Sequence, residues 1–472
     1  MILDLRRLTA ALALILAACS PVEEALRPAV LPPKPTEAPT EKVRPSPFFP
    51  LQPTATGAPE TPIPVAGGWP APFTYGKWGE PAIPIPPPAP EITMPEGTLN
   101  VVLLGSDRRS GSGFRTDTIV IASIQPAQGL VTLVSIPRDL YVYLPGNSVN
   151  RINTAWIYGA SLGYPGGGPQ LLFDTIRYNL GIHVDRYALV EMDGFRRIID
   201  ILGGIDVRVA CPYTDWRLRR PELPQQLESS WALFTAPQGI VHMNGDYALW
   251  YARSRQRSSD FDRSRRQQEV LRAAYREALR PDVLARIPEL YRTLQASVVT
   301  NLTLEDVLQL APVAVQLEPA HLRSRFIGRP QVTSFRVPKS GAAVLLPKAD
   351  VIQQLLTDAL TTPVEELAEP RLRIGILPTA SGDLPELARE RLLYAGFDAE
   401  LLSGEPLDVA TTQLQVPPEA APETVASVLR ALGLPHGAVA AVESVASPQE
   451  FRLAVGRDYS PCFDPNALTG FP

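Results

Sequence analysis

Leu99-Asn-Val-Val-Leu-Leu-Gly-Ser-Asp-Arg-Arg109, Phe114-Arg-Thr-Asp-Thr-Ile-Val-Ile-Ala-Ser-Ile124 and Leu130-Val-Thr-Leu-Val-Ser-Ile-Pro-Arg-Asp139 decide how this chain folds. Each holds an apolar, β-branched run with the composition of a buried strand: Leu99–Gly105, Asp117–Ile124 and Leu130–Ile136. The short turn Gln125-Pro-Ala-Gln-Gly129 joins the last two. If the first strand runs upward, the second descends from the top and the third climbs back. Asp107, Arg115, Asp117 and Arg138 then gather at the top edge of one sheet. Two neighbouring carboxylates repel unless a cation sits between them, and hard oxygen ligands suit a magnesium ion that keeps waters and borrows phosphate oxygens.

A second cluster spans Tyr251-Ala-Arg-Ser-Arg-Gln-Arg257 and Asp260-Phe-Asp-Arg-Ser-Arg-Arg-Gln-Gln268, with six arginines within fourteen residues. Arg253 and Arg255 would share a face on a strand. Arg263, Arg266 and Gln267, spaced i, i+3, i+4, would share one on the helix that follows. A guanidinium is a planar fork of donors that fits phosphate oxygens two at a time. Arginines and a carboxylate-held magnesium together make a pyrophosphate clamp.

Seven segments in order carry a resemblance: Leu-Leu-Gly-Ser-Asp-Arg-Arg (103–109), Arg-Thr-Asp-Thr (115–118), Ser-Ile-Pro-Arg-Asp (135–139), Arg-Ile-Asn-Thr-Ala (151–155), Leu-Gly-Gly-Ile-Asp-Val (202–207), Tyr-Ala-Arg-Ser-Arg (251–255) and Asp-Phe-Asp-Arg-Ser-Arg-Arg-Gln-Gln (260–268). From about Leu99 to about Leu360 the chain resembles the LytR-CpsA-Psr proteins, cell-wall glycopolymer ligases of bacteria. The resemblance implies an α/β fold, a mixed central sheet flanked by helices, with a long apolar pocket for a polyprenyl chain. It implies transfer of a glycan phosphate from a polyprenyl-pyrophosphate carrier onto peptidoglycan or another wall acceptor. Carried over by position, Asp107 and Asp117 would hold Mg2+. Arg115, Arg138, Arg253, Arg255 and Arg263 would contact the pyrophosphate, with Gln267 in the same site and Arg109 and Arg266 as further substrate-binding candidates. Asp139 and Asp260 are candidate bases. Two departures from the family pattern are Arg151, where a lysine is common, and Asp262, where a glycine is common; the second adds an acid near the clamp. Arg257, Arg265 and Arg272 fall outside the matched positions and read as surface residues. Hydrolysis of polyprenyl pyrophosphate would use the same clamp, and a non-catalytic polyprenyl-glycan binding protein would keep the pocket.

The rest of the chain sets the context. Residues 1–19 read as a lipoprotein signal peptide: two arginines, an eleven-residue apolar run Leu8–Ala18 too short to span a bilayer comfortably, and a Leu-Ala-Ala-Cys box that makes Cys19 the lipidation candidate. The expected location is the cell membrane, lipid-anchored, on the extracytoplasmic face. Residues 20–98 hold 22 of the 51 prolines and read as a disordered, semi-stiff tether. Residues 99–362 would be the catalytic domain. From Arg371 the pattern restarts, and residues 370–472 read as a small α/β domain that resembles the C-terminal domain of LytR-type members. Apolar residues in Ala155–Tyr158, Leu171–Ile176, Tyr187–Val190 and Phe195–Leu202 divide between core and lipid pocket in a way the sequence leaves open.

The net charge of −5 and the lack of a helix-turn-helix pattern exclude a nucleic-acid partner. Cys211 and Cys462 either join the two domains in an oxidising envelope or stay as separate thiols. The histidines, His183, His242, His321 and His436, are scattered and without metal-ligand spacing.

Overall fold

The computed structural model describes residues 68–76, 80–106, 115–220, 222–280, 283, 297–338, 340–361, 372–441 and 450–462. Cys19, the signal segment, Asp107 and Arg109 lie outside the described residues. Strands β1 (Leu99–Ser106), β2 (Thr116–Gln125) and β3 (Leu130–Ser135) form the expected antiparallel meander. The hairpin β4 (Tyr141–Tyr143) and β5 (Val149–Arg151) and helices α1 (Ala155–Ser161) and α2 (Gly167–Leu180) lead to β6 (Arg186–Glu191), which runs parallel to β1. After α3 (Met192–Ile201), two short pairs are nested: β7 (Ile205–Val209) with β10 (Gly239–Met243) encloses β8 (Tyr213–Leu218) with β9 (Trp231–Ala236). Helices α4 (Gly245–Arg253) and α5 (Asp260–Ala278) follow, then β11 (Val298–Thr300), α6 (Leu304–Gln316), β12 (Leu322–Phe326), the hairpin β13 (Val332–Arg336) and β14 (Ala343–Pro347), and α7 (Ala349–Leu360).

The central sheet has the order β11-β6-β1-β2-β3-β12 and is mixed, with helices on both faces. Its two-residue alternation separates those faces. Val102, Leu104, Ile119, Ile121 and Val134 pack against Trp156 of α1, Leu172 and Ile176 of α2 and Ile352 and Leu356 of α7. Leu103, Val120, Ala122 and Leu133 face the other way, toward Leu271 and Tyr275 of α5. This is the mixed α/β fold expected from the sequence. Among the described residues, no helix is long and apolar enough to cross a membrane.

The proline-rich stretch differs from the expected free tether over its last part. The Phe73 and Tyr75 amides donate to the Asn147 and Gly146 carbonyls, and the Ala89 and Ile92 amides to those of Tyr178 and Gly181, at 2.7–2.9 Å. The Tyr143 and Tyr178 hydroxyls donate in turn to the Pro70 and Pro86 carbonyls. A polyproline-type strand leaves its carbonyls without internal partners, so a surface with the right donors captures it. Close approach needs glycine: a Cβ on Gly181 (φ +71°) would lie 2.0 Å from the Pro90 oxygen.

Beyond α7, strands β15 (Arg373–Ile376), β16 (Asp398–Leu401), β17 (Gln413–Val416), β18 (Val439–Ala441) and β19 (Glu450–Ala454) form a separate five-stranded sheet with α8 (Leu384–Tyr394) and α9 (Pro422–Leu432). It has its own core around Ile374, Leu392, Leu414, Leu429 and Phe451. Cys211 and Cys462 form a disulfide, Cα–Cα 4.5 Å, across 251 residues of sequence. The choice that the sequence left open is thereby made.

Candidate active site

The C-terminal ends of β1, β3, β6 and β12 and the start of β2 share one edge of the central sheet. Arg138, just past β3, donates from Nη1 to Asp117 Oδ1 at 2.6 Å, and its Nε lies 3.5 Å from Asp139 and 3.9 Å from Asp260. Ser259 caps α5 by accepting the Asp262 amide, which fixes Asp260 in the first turn. Asp260 Oδ1 then meets Arg263 Nη1 at 3.1 Å and Arg255 Nη1 at 3.5 Å. Asp117, Arg138, Arg255 and Arg263 therefore converge: strand topology anticipated Asp117 beside Arg138, and the family resemblance implied that Arg255 and Arg263 join them. The Nε atoms of Arg138 and Arg263 are buried with no hydrogen-bond partner among the described residues. Buried donors left unmade cost about 1–3 kcal/mol each, which an incoming anion would recover.

The electrostatics follow. Burial pushes the Arg263 guanidinium down to about 10, with Asp260 opposing the shift and Arg138 and Arg255 adding to it. Burial also lifts Asp139 above the usual carboxylate range against the pull of Arg138 and Arg151. For Asp260 burial is outweighed by Arg263, Arg138 and Arg255, which hold it low. These two acids hydrogen-bond to each other and titrate as a pair, Asp139 keeping the proton longer. Arg151 takes up the other Asp139 oxygen at 3.1 Å.

An apolar pocket of about 190 Å³ meets this edge, on the sheet face under α5. Leu103, Val120, Ala188, Val190, Phe195, Leu249, Val270 and Leu271 line it, and Asp117, Glu191, Arg253 and Gln267 supply its polar groups. Of the four apolar stretches, the third and fourth contribute: Ala188 and Val190 of β6 and Phe195 of α3. The 155–158 and 171–176 stretches pack the opposite face instead. Leu103, Ala188 and Val190 stay half-exposed inside the fold. Each Å² of apolar surface so left forfeits about 25 cal/mol until an apolar ligand covers it.

Several expectations are corrected. Tyr251-Ala-Arg253 ends helix α4 rather than forming a strand, so Arg253 and Arg255 are placed by a helix end and a loop. Arg266 does not present itself to a ligand. It is fully buried, donates to the Tyr251 and Ser254 carbonyls and to Ser258, and stacks 3.8 Å from the Tyr213 ring centre. It fixes the loop that carries Arg255. Arg265 and Arg272 are buried rather than on the surface: Arg265 is paired with Asp262 and Glu269, Arg272 with Glu390. A helix so polar all round ordinarily faces solvent; here counter-ions follow it inside. Asp262 is engaged by Arg265 and Arg266, so the extra acid leaves the clamp's charge intact. Arg257 is exposed, as expected. Arg115 stands at the start of β2, close enough to Tyr158 to act on it electrostatically.

Two residues emerge that the sequence reading passed over. Glu191 ends β6 opposite Ser106 and reaches the pocket because β6 returns beside β1. Asp215, fully buried, accepts the Gln256 amide at 2.9 Å and the Tyr213 hydroxyl at 2.6 Å, tying β8 to the Arg255 loop. The two-residue alternation of Tyr-Thr-Asp-Trp-Arg-Leu puts Asp215 on the inner face, which was the available signal.

Comparison with known proteins settles the relationship. The LytR_cpsA_psr family matches residues 86–341, more than half of the chain. The chain belongs to the LytR_cpsA_psr family. Within that family, it is 31% identical over 222 residues to the Oceanobacillus iheyensis polyisoprenyl-teichoic acid–peptidoglycan teichoic acid transferase TagU, covering 47% of this chain and 64% of that protein. It is 29% identical over 217 residues to the Staphylococcus aureus regulatory protein MsrR, covering 45% and 59%. The match thus spans less than two thirds of the length of these relatives. Among solved structures, B. subtilis TagV is similar at 25% identity and a TM-score of 0.45, covering 57% of this chain and all of that one. The family match ends before α7 and the five-stranded sheet.

Proposed function

We propose that this protein is an extracytoplasmic, lipid-anchored phosphotransferase that moves a glycan phosphate from a polyprenyl-pyrophosphate carrier to peptidoglycan or another wall acceptor. The observation that carries the reading is an apolar slot meeting a cluster of arginines whose buried Nε donors await an anion. Apolar tail and pyrophosphate head are the two halves of such a carrier. A TagU relative, named for a transfer of this class, supports it.

In this reading Arg138, Arg255 and Arg263 seat the pyrophosphate, with Arg115 and Arg253 at its margin and Gln267 positioned by the Ala252 carbonyl. A magnesium ion fits the donors present. Asp117 offers a carboxylate with 32% side-chain exposure on the pocket lining. Among the described residues no group of three acids, histidines or cysteines could cage a metal. An ion here would rest on one or two carboxylates, Asp117 and by resemblance Asp107, plus phosphate oxygens, as magnesium does. When bound, it would neutralise charge on the bridging and leaving oxygens. The acceptor hydroxyl attacks the phosphorus that bears the glycan. The bond to the polyprenyl phosphate breaks, and polyprenyl monophosphate leaves with its charge held by the arginines. The hydroxyl proton passes to the Asp139–Asp260 pair. Positioning and charge neutralisation do most of the work in such transfers.

The test incubates the full chain with a polyprenyl-pyrophosphate saccharide, magnesium and peptidoglycan fragments, following lipid monophosphate and sugar phosphate. Acceptor-linked sugar phosphate, lost with Asp117→Ala and with chelator, is the expected result. Free sugar phosphate would turn the reading toward hydrolysis, and tight lipid binding without release toward a binding protein.

A further inference from the structure

Helix α5 carries the clamp on its first two turns and a second set of charges further on. Arg272, 2% exposed, donates from Nε to Glu390 at 2.8 Å and from Nη1 to the Leu322 carbonyl at 2.6 Å. Arg276 donates to the other Glu390 oxygen at 2.9 Å. Glu390 lies on α8, in the unit beyond the family match. On that helix Glu386, Glu390 and Tyr394 are spaced i, i+4, i+8 and so share a face. Glu386 pairs with Arg208 of β7 at 2.9 Å, and the Tyr394 ring lies 4.5 Å from the Arg272 guanidinium. Glu390 therefore supplies the carboxylate for two arginines of the clamp helix, and removing it would strand a buried charge.

A second tie reaches the other half of the cluster. Cys462, eight residues past the end of β19, is bonded to Cys211, just before β8. Strand β8 carries Asp215, which accepts the amide of Gln256 beside Arg255. The two links thus end on the two elements that position the arginines: α5 through Glu390, and the Arg255 loop through β8.

We propose that the C-terminal α/β unit is a built-in brace of the arginine cluster, with Glu390 as a positioning residue and the Cys211–Cys462 bond as a second tie. Among the described residues, the unit's ion pairs with the catalytic domain end on Arg208, Arg272 and Arg276 rather than on a clamp arginine. It acts by holding α5 and the 254–258 loop in mutual register. Its binding arm rests on the reading of the cluster as a pyrophosphate site; its exchange arm does not.

The test uses the full oxidised chain, Glu390→Gln, Cys462→Ser and, as control, Asp383→Asn, whose carboxylate accepts the β10 amide of Ile240. Amide hydrogen exchange and inorganic pyrophosphate affinity are measured for each. Expected are faster exchange in residues 251–258 with β1–β3 unchanged, and about tenfold weaker pyrophosphate binding, in Glu390→Gln and Cys462→Ser but not in Asp383→Asn. Wild-type exchange in both test variants would overturn the brace. Should Glu390→Gln fail to fold, Cys462→Ser carries the test alone. If wild type ignores pyrophosphate, the functional reading falls while the exchange data still decide the brace.

Discussion

Arg138 is the residue on which the site turns, because it alone among the described arginines reaches Asp117, Asp139 and Asp260. Lysine would keep a charge there but lose the planar fork, which is why the exchange is not conservative at such a position. Arg138→Lys is expected to lower turnover about 10²- to 10³-fold, the usual loss on removing one preorganised charge-stabilising donor, with thermal stability close to wild type. An unchanged rate would remove Arg138 from the clamp. Asp139 gives a second expectation. Burial raises its ionisation above the ordinary carboxylate range, so a base drawn from this pair is lost as pH falls through that raised value. The rate profile should show an acid limb displaced upward from that of an ordinary aspartate, and Asp139→Asn should displace or abolish it. A limb identical in the variant would place the base elsewhere.

At the scale of elements, Gly181 and its strap make a clean case. Both Gly181 (φ +71°) and Gly396 (φ +88°) sit in the left-handed region, but only at Gly181 would a Cβ meet a neighbour, the Pro90 oxygen at 2.0 Å. Alanine at either position should cost about 1 kcal/mol or more for the backbone alone. Gly181→Ala should in addition lift the strap, read as faster proteolysis within residues 80–98, while Gly396→Ala leaves that cleavage unchanged. Equal cleavage would mean that the strap is held without this contact. The elements themselves were largely legible: the β1–β3 meander and the α/β restart beyond Arg371 follow from periodicity and turn residues, which are local signals. The strap was not, since proline composition reports local stiffness and says nothing of the tyrosines that capture it. Nor were Glu191, the tie from Asp215 to the Gln256 amide, or the burial of Arg265 and Arg272, because each depends on pairing between segments remote in sequence; only the inward face of Asp215 follows from local alternation. Arg253 ends a helix rather than lying on a strand; a short apolar run suits either structure, and the Asn244 cap, which accepts the Tyr247 amide, starts α4 and decides for helix.

For the whole molecule, the junction between the two sheets has an unusual composition: a buried carboxylate against two arginines, a disulfide, and the Arg208–Glu386 pair. Ionic seams of this kind are not worth more than apolar packing, but they are sharply sensitive to losing one partner. Burial pushes the Glu390 carboxyl up, yet Arg272 and Arg276 outweigh it and bring it down to about 2. A carboxylate depressed in the folded state adds stability that is present above its unfolded value near 4.5 and is lost as pH falls toward the folded one. The linkage is on the order of 3 kcal/mol, a sizeable part of the roughly 5–15 kcal/mol by which folded proteins are stable. Denaturant unfolding should therefore weaken progressively between about pH 5 and pH 2 in the wild type. Glu390→Gln, already without this carboxylate, should start lower at neutral pH and lose less on acidification, so the two curves converge. Parallel curves would show that Glu390 ionisation contributes nothing to holding the second sheet against the first, and that the disulfide and apolar contacts hold the seam without it.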